Sequence, residues 1–79
     1  MKVRVKFLAT YRKYLPAGVQ GGACDVDVSP GILVSDLLSG LDVPAKESMV
    51  ILVNGRDAGL DHILKDNDVV AIFPAMAGG

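Results

Sequence analysis

Hydrophobic side chains recur at every second position near the start of this chain, and they change to a helical spacing only once. In KVRVKFL, Val3, Val5 and Phe7 fall on one side and Lys2, Arg4 and Lys6 on the other. That is the period of a half-buried strand. ACDVDV repeats it, with Cys24, Val26 and Val28 inward and Asp25 and Asp27 outward. If the two strands pair, an acidic row lies beside a basic row. Such exposed pairs are individually weak, but they disfavour a slipped register. The change of period comes in SPGILVSDLLSGL, where Val34, Leu37, Leu38 and Leu41 fall at i, i+3, i+4 and i+7. They form one stripe of a helix, with Ser35, Asp36 and Ser39 facing away. Gly40 reads as its stop with Pro44 beyond, and Ser29-Pro30 is a cap signal placed early.

The remaining segments are strands and turns. ATYRKYLPAGVQGG is a long connection that opens with a helical turn and ends in a flexible Gly21-Gly22. MVILV is a continuous apolar run, as in a strand covered on both faces, and it enters Asn54-Gly55, a strong hairpin signal. DHIL reads as a single helical turn. KDND turns the chain into a last strand, VVAIF, with Asn67 in the left-handed conformation that Asn tolerates. The order strand, strand, helix, strand, minor segment, strand predicts an α+β fold with one main helix on a small mixed sheet. This is the order of a β-grasp, or ubiquitin-like, domain.

The totals narrow the function by exclusion. Seventy-nine residues make one domain near the lower limit for a single hydrophobic core. No apolar run approaches the ~18 residues of a membrane span, and the alternating start is unlike a signal or transit peptide. A net charge of −1 with scattered Lys and Arg argues against a nucleic-acid surface. One cysteine, Cys24, and one histidine, His62, allow neither an internal disulfide nor a Cys/His metal site. A cytoplasmic location is expected. There is no phosphate-loop or dinucleotide fingerprint and no nucleophile–base arrangement. Any covalent chemistry has to be brought to this chain by another protein.

Two stretches carry a family resemblance. KVRVKFLATYRKYL resembles the opening of the MoaD/ThiS sulfur-carrier family, and LVNGRDAGLDHILKDNDVVAIFPAMAGG resembles its second half, through to Gly78-Gly79. Residues 16–48 match in periodicity rather than in motif. Pro74 is followed by Ala75 where the molybdopterin-synthase group carries a second proline, and Asn67 stands where a Gly is usual. The resemblance implies a β-grasp domain over residues 1–74 and a flexible tail over 75–79. A partner enzyme related to ubiquitin-activating enzymes would adenylate Gly79, using ATP and Mg²⁺ that this chain does not itself bind. Sulfur would then replace the adenylate to give a C-terminal thiocarboxylate. In a molybdopterin synthase, the tail would enter the large subunit and give its sulfur to the pterin dithiolene.

The same resemblance assigns the site residues. Gly79 is the acyl carrier and Gly78 the slim spacer. Pro74, with no N–H to donate, ends the ladder and turns the tail away from the sheet. From the alternation, not the resemblance, Leu8 falls on the side of Lys2, Arg4 and Lys6, where a polar residue is expected. It would share the face opposite the helix with Phe73 if the first and last strands are parallel neighbours, as in a β-grasp sheet. They are then either a partner-docking patch or a minor core beneath the long loop. Arg12 matches an Arg of the family, and is either an acid-pairing group or a solvated side chain. Cys24 reads as a small buried hydrophobe and His62 as a turn residue without a catalytic role. Three further functions stay open: a carrier for thiamin thiazole, cysteine or a tungsten cofactor, a ubiquitin-like modifier joined through Gly79, and a non-catalytic binding module.

Overall fold

The computed structural model describes residues 1–14, 21–44 and 49–74. Its elements are β1 (Lys2–Phe7), a 3₁₀ helix (Ala9–Tyr14), β2 (Ala23–Asp27), α1 (Val34–Gly40), β3 (Met49–Val53), β4 (Arg56–Asp57) and β5 (Val69–Pro74). The strands form one sheet in the order β2-β1-β5-β3-β4. β1 and β5 run parallel at its centre, and every other pairing is antiparallel. This is the mixed sheet and single α-helix of a ubiquitin-like β-grasp.

Alternation places the core. Val3, Val5 and Phe7 of β1, Val70 and Ile72 of β5, and Ile51 and Val53 of β3 are buried on one face of the sheet. Val34, Leu37 and Leu38 of α1 join them in the same cluster. Full burial of an aliphatic or Phe side chain contributes about 1.5–3 kcal/mol, so this face is the main source of stability. The β1–β2 register pairs Arg4 with Asp25 and Lys2 with Asp27, as the alternating charges require. Arg4 Nε donates to Asp25 Oδ1 at 3.0 Å, and Lys2 Nζ stands 3.9 Å from Asp27 Oδ1. The β3–β4 hairpin turns at Asn54 and Gly55, whose φ values of 53° and 83° are both positive, as a type I′ turn requires. Asn67 is left-handed as expected, with φ 69°.

Two expectations, for DHIL and MVILV, need correction. The helix stops at Gly40 as expected: Gly40 is the last residue of α1, Leu41 is the cap, and the left-handed residue beyond it, with φ 58°, is Asp42. Asp42 N–H donates to the Ser39 carbonyl at 3.1 Å and Val43 N–H to that of Leu38 at 2.9 Å. These are the two bonds of a Schellman motif. DHIL is not a helical turn. Its His62 carbonyl accepts the Val34 N–H, the Leu60 carbonyl accepts the Ser35 N–H, and Ile63 bridges to Leu33. The segment therefore satisfies donors that the start of α1 leaves open, which Leu33, having no side-chain acceptor, cannot do. Asp36 supplies a further bond, its Oδ2 accepting the Leu33 N–H at 3.2 Å. MVILV is covered on one face only: Ile51 and Val53 are buried, while Val50 and Leu52 are half-buried on the other side. Gly21 and Gly22 form a turn with φ 81° and 77°, and the Gly22 carbonyl accepts the Phe7 N–H at 2.8 Å.

Candidate functional site

The face of the sheet away from α1 divides in two. Over β2 and the start of β1 it carries the paired charges of Lys2, Arg4, Asp25 and Asp27. Over β5 and β3 it is apolar. Phe73 pairs in register with Val50, and Ala71 with Leu52. Since Phe7 pairs with Ile72 and the Leu8 N–H donates to the Ile72 carbonyl at 3.0 Å, Leu8 falls beside Phe73 on this face. Leu8 is 45% exposed and Phe73 half-buried. The structure therefore brings the two together on the side predicted for them, and the exposure of Leu8 is that of a surface residue. Val50, Leu52 and Ala71 extend the patch. A continuous run such as MVILV does not reveal which of its residues look outward, so the sequence did not assign them.

Cations border this patch. Lys6 pairs in register with Ala71 on the outer face. Arg12, exposed on the 3₁₀ helix, lines a hollow together with Lys6, Leu8, Gly21 and Gly22. A Cβ added to Gly22 would stand 3.8 Å from Arg12 Nε, so the guanidinium lies close over that turn. Arg12 is thus on the same side as the patch. Pro74 is the last residue of β5, opposite Met49 on β3. Gly78 and Gly79, with the rest of the tail from residue 75, lie outside the described residues.

Cys24 faces inward, as its phase predicts, but it is half-buried rather than core, because β2 is an edge strand and α1 covers it incompletely. Burial pushes its thiol pKa up, and the Asp25 carboxylate adds to the shift, the reverse of what a reactive thiol needs. His62 is exposed. Among the described residues no cluster of His, Cys, Asp or Glu is arranged to hold a metal ion. No helix among them is long and apolar enough to cross a membrane.

A buried carboxylate went unnoticed in the sequence. Asp68, 8% exposed, accepts from Asn54 Nδ2 and from the Lys65 N–H, each at 2.8 Å. Asn54 Oδ1 in turn accepts the Val69 N–H at 2.9 Å. The network clamps the β3–β4 turn to the start of β5. Every donor in it is satisfied, which is why a charged group is tolerated there.

The ThiS family model matches residues 5–79. No curated protein sequence matches the chain significantly. Among solved structures, a putative molybdopterin converting factor subunit 1 from Pyrococcus furiosus is 30% identical, with TM-score 0.73, over 95% of this chain and 98% of that one. SAMP1 from Haloferax volcanii is 25% identical, with TM-score 0.78, over the whole of both chains. A chain of the BexX/CysO complex from Amycolatopsis orientalis is 26% identical, with TM-score 0.58, over 98% of this chain and 99% of that one.

Proposed function

Because the chain belongs to the ThiS family of ubiquitin-like sulfur carriers, we propose that it carries sulfur as a thiocarboxylate on Gly79 and serves as the small subunit of a molybdopterin synthase. The observation that carries this reading is the family match itself, which runs through Gly78-Gly79 rather than stopping at the folded domain. The likeness to a molybdopterin converting factor subunit favours this pathway over a sister pathway.

A carboxylate is a poor electrophile and needs activation. On an activating enzyme that holds ATP and Mg²⁺, the Gly79 carboxylate attacks the α-phosphorus, pyrophosphate leaves, and an acyl adenylate forms. Hydrosulfide from a sulfide source then attacks the acyl carbon, AMP leaves with the C–O bond electrons, and the thiocarboxylate results. The chain contributes presentation. β5 ends at Pro74 beside the patch of Leu8 and Phe73, so a partner that receives the tail also meets an apolar surface. Lys6 and Arg12 beside that surface call for an acidic group on the partner. Burying an aromatic anchor of this kind commonly dominates an interface.

Incubation with ATP, Mg²⁺, an activating enzyme and a sulfide source, followed by intact-mass measurement, tests the proposal. A gain of ~16 Da, one oxygen replaced by sulfur, is expected on the free chain. The likeness to SAMP1, a small archaeal modifier protein, favours a second reading in which Gly79 forms isopeptide bonds. Covalent ladders on lysines with no thiocarboxylate would establish that reading instead.

A further inference from the structure

We propose that the open edge of β2 and the groove between it and α1 bind an extended peptide in which apolar and basic residues alternate. This site is centred on the β2 edge, two strands away from Phe73 in the sheet, and does not depend on the chemistry of Gly79.

The backbone phase comes first. Phe7 N–H bonds the Gly22 carbonyl and Val28 N–H bonds the Met1 carbonyl, both at 2.8 Å. Antiparallel pairing alternates, so the even-numbered residues of β2 spend their N–H and C=O groups on β1. Those of Ala23, Asp25 and Asp27 point the other way. β2 is the outermost strand of the sheet, and among the described residues nothing bonds these groups. An unpaired strand edge is a template for another strand.

The side chains then define what fits. A strand added at this edge would place alternate residues on the α1 side, beside half-buried Val26 and Val28. There a groove runs along β2, lined by Val26, Val28, Ile32, Leu37, Gly40 and Leu41. The other residues of the added strand would lie beside Asp25 and Asp27. The charged residues lining the groove are also acidic, Asp27 and Asp36, with no Lys or Arg among them. On its inner side β2 already pairs with KVRVKF, whose Val3 and Val5 face the core while Lys2 and Arg4 meet Asp27 and Asp25. The open side calls for the same alternation. A second copy of this chain pairing through β2 would instead set acidic rows side by side.

Gly40 is the independent observation. Its φ is not in the left-handed region, since Asp42 supplies the helix end, so the backbone does not require glycine there. A Cβ built at Gly40 meets no heavy atom within 4 Å. Gly40 is the last residue of α1 and lines the groove, so a longer side chain at this place would project into the groove without a clash at its Cβ.

The test titrates acetyl-Lys-Val-Arg-Val-Lys-Val-amide into the isotopically labelled full chain and follows backbone amide shifts. Saturable shifts grouped at Ala23, Asp25, Asp27 and Gly40 are expected. Roughly tenfold weaker binding is expected when Glu replaces the basic residues, or when the edge-facing peptide nitrogens are methylated. Gly40→Leu should fold with an unchanged or higher melting temperature and also bind roughly tenfold more weakly, because its side chain fills the groove. Shifts centred on Leu8, Val50 and Phe73, no saturable shift, or equal binding by Gly40→Leu or by the methylated peptide would each overturn the proposal.

Discussion

The chain has two phenylalanines, on neighbouring strands at the centre of one sheet, and they face opposite ways. Phe7 is 1% exposed beneath α1, while Phe73 lies half-buried on the outer face beside Leu8. Both obey the same two-residue alternation. They differ in what covers them: a helix of the same chain for Phe7, and on our reading another protein for Phe73. The inner face stabilises the fold, and on the same reading the apolar half of the outer face is surface kept for association.

The largest expected effect is on the inner face. Phe7→Ala should lower stability by about 3–5 kcal/mol, the cost of a core Phe truncation, measured by denaturant unfolding. Phe73→Ala should shift unfolding much less, yet weaken binding to the proposed partner subunit by about 2 kcal/mol or more. Equal losses of stability for the two variants would break the comparison and return Phe73 to the core. Asp68→Ala belongs to neither face. It should cost about 1–3 kcal/mol of stability by stranding Asn54 Nδ2 and the Lys65 N–H, with partner affinity unchanged in a binding titration.

The smallest effect is expected in the charged half of the outer face. The hydrogen bond from Arg4 holds the Asp25 carboxyl below its ordinary value of 3.8. A depressed folded-state pKa means that the stabilisation is full above 3.8 and is lost as pH falls through the lower folded value. The melting temperatures of the native chain and Asp25→Asn should therefore differ slightly at neutral pH and converge in acid. High salt should narrow the gap as well, because both groups are exposed. A large difference that survives acid would show that this half of the face also contributes to the core.

Much of the fold was legible because its signals are local. The strand phases of β1 and β2, the Asn54-Gly55 turn and the left-handed Asn67 each follow from a few adjacent residues. What was not legible depends on distant partners. Nothing in LDHIL announces that its Leu60 and His62 carbonyls meet Ser35 and Val34 in the first turn of α1. Asp42 carries the left-handed helix end without the glycine that usually marks one, and Asp68 looks like another turn acid until Asn54 is placed against it. The apolar patch of the outer face was half legible. Leu8 stood out as an apolar residue in a polar phase, whereas Val50 and Leu52 were hidden in a run with no alternation to break.

The central claim is that the Gly79 carboxylate is the working group, and an added C-terminal Ala tests it most directly. Extension turns that carboxylate into an amide and moves the new one ~3.5 Å further out, where a misplacement of about 1 Å already degrades a reacting geometry. In the activating-enzyme assay without proteases, the native chain should gain ~16 Da and the extended chain nothing, with the two melting temperatures equal. Sulfur acquired at the C-terminus of the extended chain would contradict the account.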